Sequence, residues 1–476
     1  MSAFHIVNFG CRATQADGAA IERELLERGL VRSGEVDASV VVVNTCTVTA
    51  AADSDARAAI RRIHRNNPQA KILVTGCYAQ RAPQEVGALP GVEWVVGNSH
   101  KASVAQIAAS GARPAIFAGE FKALVSETEE PGAVSALVSL NEIAPAEEKV
   151  AEGAAEFLVG DIFAHSEVLA APVFEGDAAA SGFAARTRAN LKVQDGCNNR
   201  CSFCIIPFVR GKSRSLPAEK VIFEADQLVR AGFQELVLSG INLGRWGRDL
   251  ERKDRFANLL RYLLNRTDLS KLRISSVEPM DWSDEVIELV ASEPRIAKHA
   301  HVPLQSGSDR VLRAMHRKYR PWHYEEKITK MRAAMPDAAI GADVMVGFPG
   351  ETDEFFRETY DFIARLPFTY LHVFTFSARP GTPAATMSNQ VPVHTARERN
   401  RELRKLIAQK NLAFRACFLG RELDAITLSR SDDPGSTDAL TDNFLKLRVE
   451  SHHAPNQWLR VRISSLTEDG VQGVVP

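Results

Sequence analysis

Cys197, Cys201 and Cys204 form a C-x3-C-x2-C array inside the stretch NLKVQDGCNNRCSFCIIPFVRGKSRS, residues 190–215. Thiolates this close in sequence can converge on one inorganic centre, and no fourth cysteine or histidine lies nearby. Soft sulfur ligands select Zn, Cu(I) or iron–sulfur clusters, and a structural Zn site normally closes with four ligands. A three-cysteine set therefore points to a 4Fe-4S cluster with one iron left open to a substrate or cofactor. A Zn site completed from afar, or three unrelated core thiols, are the alternatives.

A second set is spread out. Cys11, Cys46 and Cys77 each come just after an apolar run: HIVNFG (5–10), VVVVNT (40–45) and KILVTG (71–76). If those runs are neighbouring parallel strands, their carboxyl ends share one edge, where open α/β sheets bind ligands. This spacing predicts a second three-cysteine cluster. Cys417 stands alone, and seven cysteines in 476 residues are no disulfide framework. The usage fits a reducing, cytoplasmic setting.

The elements that must position these residues follow from periodicity. Residues 1–112 alternate strands with helices over 17–29, 50–66 and 80–88, ending in the strand VEWVVG (92–97), as βαβ units do. Residues 113–185 read as an acidic insert or linker. Between Glu120 and Ala180 lie 13 Asp and Glu against Lys122 and Lys149, a composition that repels phosphate and suits a spacer or an RNA mimic. Within it ALVSL and EFLVGDIF could pair as strands.

Residues 186–412 hold about six βα repeats, a partial or full β/α barrel, with strands at 189–194, 235–240, 271–276, 298–303, 340–349 and 370–376. A charged helix is expected over 391–412. Residues 413–476 alternate apolar and polar between turns and read as a small β-barrel. The fold class is thus α/β with a carboxy-terminal all-β module. The chain balances 58 Lys and Arg against 59 Asp and Glu. The span 186–220 nevertheless holds eight basic residues and two acidic ones, a patch suited to phosphate. No run of 18 apolar residues and no signal segment points to a membrane or to secretion.

CNNRCSFC resembles the signature loop of radical S-adenosylmethionine (SAM) enzymes. KVQDGC, RGKSRS, NFGCRATQ, VNTCTVT, VTGCYAQ, HVPLQSGSD and VGFPGET resemble the methylthiotransferase branch. RGKSRS, SVEP at 276–279 and GFPGETDEFF are most similar to enzymes acting on N6-threonylcarbamoyladenosine in tRNA. Relatives acting on N6-isopentenyladenosine, or on a ribosomal protein, stay open beside it. A non-catalytic RNA-binding protein with structural metal is the reading of another class.

The resemblance implies two 4Fe-4S clusters. One is held by Cys197, Cys201 and Cys204, binds SAM and generates a radical; the other is held by Cys11, Cys46 and Cys77 and carries the sulfur to be inserted. It implies C2 methylthiolation of the adenosine at position 37, with the methyl group from a second SAM. Carbon 2 of adenine is neither nucleophilic nor usefully acidic, so a cofactor must carry the hard step.

Phe203, Gly240, Glu278, Gln305, Val346, Gly347 and Arg188 are the expected SAM contacts, with Lys192 near the cofactor or the RNA. Residues 413–476 resemble the TRAM domain, an RNA-binding module; Arg210, Lys212, Arg214, Lys446, Arg448 and Arg460 are the expected RNA contacts, joined in that module by Phe444, Trp458 and Arg462. Expected partners are a tRNA anticodon stem–loop, an electron donor such as flavodoxin or ferredoxin, and a sulfur source; the chain is expected to be a monomer with no membrane contact. One departure is Thr14, where the branch usually carries asparagine.

Overall fold

The computed structural model describes residues 2–110, 155–165, 168–169, 187–429 and 435–476. They fall into two compact units. One comprises Met1–Phe9, Ile21–Thr47 and Ala51–Asp161, the other Gly10–Ala20, Val48–Ala50 and Ile162–Pro476.

The first unit is built on β1 (Ala3–Asn8), β2 (Val31–Arg32), β3 (Val40–Thr45), β4 (Lys71–Gly76), β5 (Val92–Gly97) and β6 (Glu156–Leu158), in the sheet order β2-β1-β3-β4-β5-β6. All neighbours are parallel. Every residue of β3 is buried, which accounts for its unbroken valine run, since a central parallel strand is covered on both faces. The helix expected over 80–88 is two short ones, Cys77–Arg81 and Pro83–Gly87. Pro83 has no N–H to continue the first. The EFL piece of the acidic segment is the edge strand β6, so part of the expected insert belongs to this sheet. The spacer or RNA-mimic role falls mainly on residues 111–154 and 170–186, outside the described residues.

The second unit contains an incomplete β/α barrel. β7 (Ala189–Asp195), β8 (Arg214–Ser215), β9 (Glu235–Gly240) and β10 (Lys271–Ile274) form one sheet in the order β10-β9-β7-β8. β11 (His299–His301), β12 (Ala339–Val346) and β13 (Tyr370–Thr375) form another. Parallel bridges Leu272–Ile296 and Ser276–His301 join them. Apart from the antiparallel β8, the strands point the same way, so their carboxyl ends share one rim.

Side chains alternate along each strand. Leu191, Val193, Leu236, Leu238, Ile340 and Val344 pack into the core beneath the helices. Their alternates, among them Lys192, Glu235, Arg273, His301, Asp343 and His372, therefore face the lumen. This polar inner face is the main structural fact about the barrel.

After the helix Val393–Ala416, β14 (Glu422–Thr427), β15 (Thr437–Thr441), β16 (Lys446–Val449), β17 (Trp458–Leu466) and β18 (Val471–Val474) close a small barrel in the order β14-β15-β16-β18-β17. It is filled by Ala425, Leu447, Val449, Val461, Ile463 and Val471. Among the described residues no helix is long and apolar enough to cross a membrane.

Candidate metal centre

The 197–204 loop leaves the rim end of β7 through Gly196, whose φ is +67°. A Cβ there would lie 1.9 Å from the Lys212 carbonyl oxygen, so only glycine makes this turn. The Cys197 N–H bonds the Gly211 carbonyl at 3.1 Å, folding the loop back on itself. Cys197 Sγ accepts from the Asn199 N–H at 3.4 Å and from Asn242 Nδ2 at 3.5 Å. Cys201 Sγ accepts from Arg317 Nη1 at 3.2 Å, while Arg317 Nη2 bonds Glu278.

Burial pushes the Cys197 thiol up and the Cys204 thiol up to about 12. Three sulfurs served by N–H and guanidinium donors suit an anionic thiolate-bound cluster, because such donors hold ligands and temper their charge. The donor set thus fits a 4Fe-4S group with three protein ligands. Among the described residues no trio of His, Cys, Asp or Glu stands at metal-binding separation, so this fit is one of ligand chemistry.

Beneath the loop lies a buried ion set that sequence reasoning missed. Arg210 Nη1 bonds both Asp195 oxygens at 3.0 Å, and its Nη2 bonds Asp17 at 3.0 Å and Thr14 Oγ1 at 3.2 Å. Lys192 Nζ bonds Asp195 at 2.9 Å and also Asp17. Burial would raise the Asp195 carboxyl, but Arg210, Lys192 and Arg214 outweigh it and hold the pKa well below the usual carboxylate range. Asp195 in turn accepts the Gly196 N–H at 2.7 Å, one residue from Cys197. Thr14 Oγ1 lies 3.5 Å from Cys11 Sγ, which gives this departure from the asparagine pattern a place in the network. A lysine inside a strand that otherwise alternates with Leu191 and Val193 was the available signal.

In the first unit Cys46 and Cys77 each follow directly on a strand, and the preceding residues Thr45 and Gly76 are register partners. Gly76 has φ +101°, and a Cβ there would lie 2.3 Å from the Thr45 carbonyl oxygen. Both thiols are buried, and Cys77 Sγ accepts from Asn98 Nδ2 at 3.5 Å. Cys11 is exposed.

Several expected contacts are placed elsewhere. Arg188 precedes β7 at the end away from Cys197 and pairs with Glu235 at 3.3 Å; seven strand residues, roughly 20 Å, separate it from the loop. Val346 packs its side chain into the core. Gly347 gives its N–H to Glu351 at 2.6 Å, and a Cβ there would strike Ala396 at 2.5 Å, so helix packing accounts for this glycine. Lys192, Arg210 and Arg214 are buried and cannot meet a phosphate.

Phe444 stacks on His299 at 4.2 Å and lies 5.5 Å from Tyr370. Trp458 carries Lys271 Nζ 5.2 Å over its ring. Both aromatics pack on the larger barrel, not outward toward RNA. Phe203 sits edge-on to Phe348 at 6.5 Å. A Cβ on Gly240 would lie 3.0 Å from Gln194, and Gln305 takes φ +65° where its backbone bridges Val344. Lys212, Lys446, Arg448, Arg460 and Arg462 are exposed.

Residues 191–363 match the Radical SAM superfamily and residues 3–97 match Uncharacterized protein family UPF0004. The chain is 37% identical to Threonylcarbamoyladenosine tRNA methylthiotransferase MtaB of Bacillus subtilis (strain 168), covering 94% of this chain and 89% of that one. It is 35% identical to the MtaB of Aquifex aeolicus (strain VF5), covering 95% and 98%. It is 30% identical to tRNA-2-methylthio-N(6)-dimethylallyladenosine synthase of Desulfitobacterium hafniense (strain Y51), covering 88% and 84%. The solved structure of the radical SAM methyltransferase TsrM from Kitasatospora setae has the same fold, with TM-score 0.55 and 16% identity over 81% of this chain and 77% of that one. The chain belongs to the radical SAM methylthiotransferase family, whose enzymes use 4Fe-4S clusters and SAM.

Proposed function

We propose that this enzyme places a methylthio group on C2 of N6-threonylcarbamoyladenosine at position 37 of tRNA. The observation that carries the reading is the near full-length similarity to MtaB proteins, with a cysteine just past β1, β3 and β4 and three more past β7. When bound, the iron–sulfur groups and SAM supply radical chemistry at an unactivated carbon, the sulfur at an auxiliary cluster, and the methyl group from a second SAM. Cys197, Cys201 and Cys204 hold the radical-generating cluster, and Cys11, Cys46 and Cys77 hold the auxiliary one.

Asn242 and Arg317 orient the first set of sulfurs. Phe203, Gly240, Glu278 and Gln305 stand around the SAM position. Exposed Lys212, Lys446, Arg448 and Arg460 take the tRNA backbone, whose target base turns out of its stack to react. A flavodoxin or ferredoxin and a sulfur source complete the cycle, and the chain acts as a cytoplasmic monomer.

The deciding experiment is nucleoside mass spectrometry of tRNA from cells lacking the gene. Loss of the methylthio form of threonylcarbamoyladenosine supports the reading; loss of the isopentenyl counterpart transfers it to the other substrate. Anaerobic reconstitution should give about eight irons per chain. Cys201→Ala should end 5′-deoxyadenosine release, whereas Cys46→Ala should keep some release and stop thiolation. A Cys46→Ala enzyme that still thiolates would overturn the assignment of the second set.

A further inference from the structure

The lumen wall made by β11, β12 and β13 carries side chains that the cysteine loop does not use. His301 and His372 stack at 5.4 Å with an interplanar angle of 24°. His301 Nε2 lies 3.2 Å from Asp343 Oδ1, without the alignment of a hydrogen bond. The Tyr370 hydroxyl is 3.4 Å from His301 Nδ1 and 2.7 Å from His299 Nε2. Strand register sets Asp343 opposite His372 and Met345 opposite Phe374. Phe374 is therefore one inner-face step nearer the rim, the end at which Cys197 follows β7. Its ring is 48% exposed and lies 6.5 Å from His372.

The wall thus has three levels. Phe444, His299 and Tyr370 close its base by stacking. His301, Asp343 and His372 form a polar band above. An open phenyl ring lies at the top, in a lumen whose other wall holds paired charges. Burial, together with His301 and Arg12, lowers the His372 pKa, so this imidazole is neutral near pH 7 and offers one donor and one acceptor. Flat apolar surface at the mouth of a polar cavity suits a base, since every base has a π-face that can stack on an aromatic ring.

We propose that this wall seats the target purine, with Phe374 as the stacking platform and His301, Asp343 and His372 as the hydrogen-bonding partners of a polar N6 substituent. The inference rests on the tRNA-adenosine reading above and adds its specificity. Asp343 accepts from a ureido N–H or a hydroxyl of the substituent, and the imidazoles meet its oxygens. A hydrocarbon substituent would bury these groups without partners, which is how a hydrogen-bonding site rejects an apolar analogue.

The test uses reconstituted full-length enzyme and anticodon stem–loops bearing either N6-threonylcarbamoyl- or N6-isopentenyladenosine. Phe374→Ala should raise KM for both stem–loops by about tenfold and weaken their equilibrium binding alike. Phe374→Tyr should restore binding. Asp343→Leu and His372→Phe should each cut the preference for the polar substituent by about tenfold. His372→Phe keeps the ring, so the ratio stays readable if Asp343→Leu folds poorly. Wild-type KM in Phe374→Ala, or an unchanged substrate ratio in His372→Phe, overturns the inference. A wild-type enzyme inactive on both stem–loops overturns the functional reading instead.

Discussion

The two walls of the barrel lumen are both polar, yet they spend their polarity differently. On β7, β9 and β10 the inward charges are already matched: Lys192 with Asp17 and Asp195, and Arg273 with Glu235 at 2.8 Å. On β11, β12 and β13 the inward groups are imidazoles, a phenol, a carboxylate and an open phenyl ring. A wall of satisfied ion pairs has little left for a ligand and holds the strand ends in register. A wall on which Asp343, His372 and Phe374 stay partly open can exchange water for a substrate. The first wall therefore supports the cysteine loop, and the second is the one proposed to face the substrate.

The largest expected effect lies on the first wall. Arg210→Met leaves Asp195 and Asp17 short of a buried cation and should cost about 3–5 kcal/mol, read as a lower denaturation midpoint. Because Asp195 also holds the Gly196 N–H, iron bound at the 197–204 loop should fall with it. An unchanged midpoint would dissolve the distinction between the walls.

A smaller effect belongs to His299 at the base of the second wall. Burial, with Arg273 and His301 nearby, lowers its pKa well below the usual histidine value. The unfolded chain then takes up the proton first, near pH 6.5, so stability falls as pH drops below that point, by at most about 1.4 kcal/mol per pH unit. His299→Phe should flatten the dependence of the thermal midpoint between pH 7 and pH 5; an equally steep fall would place the titration elsewhere.

The smallest effect is outside the lumen. Arg460 is exposed and pairs with Asp424 at 2.9 Å. Arg460→Ala should change stability by less than about 1 kcal/mol while lowering the salt dependence of tRNA binding by about one ion. An unaltered salt slope would remove Arg460 from the RNA path.

Local pattern made the main strands legible, and with them the positions of Cys46 and Cys77 directly after β3 and β4, because burial in a parallel sheet leaves unbroken runs such as VVVVNT. Pairings across the chain were not legible. Nothing in RGKSRS distinguishes Lys212, which is exposed, from Arg210 and Arg214, which are buried; their partners Asp17 and Asp195 lie far off or on another element. The second wall did leave a trace, the period-two polar residues in KHAHVP and YLHVFTF. Charge around the cysteines was read as a surface property, whereas the fold turned much of it inward.

Phe444 belongs to the small barrel by sequence and to the large one by contact. It rests on His299 and lies 5.5 Å from the Arg273 guanidinium, while Arg273 bonds the Thr441 and Asp442 carbonyls at 3.3 and 3.1 Å. The carboxy-terminal module is accordingly a stopper for the large barrel as well as the proposed grip on tRNA. Exchanging it for a different small domain would unplug the barrel from below, and a shortened chain that loses activity would not reveal which of the two jobs had failed.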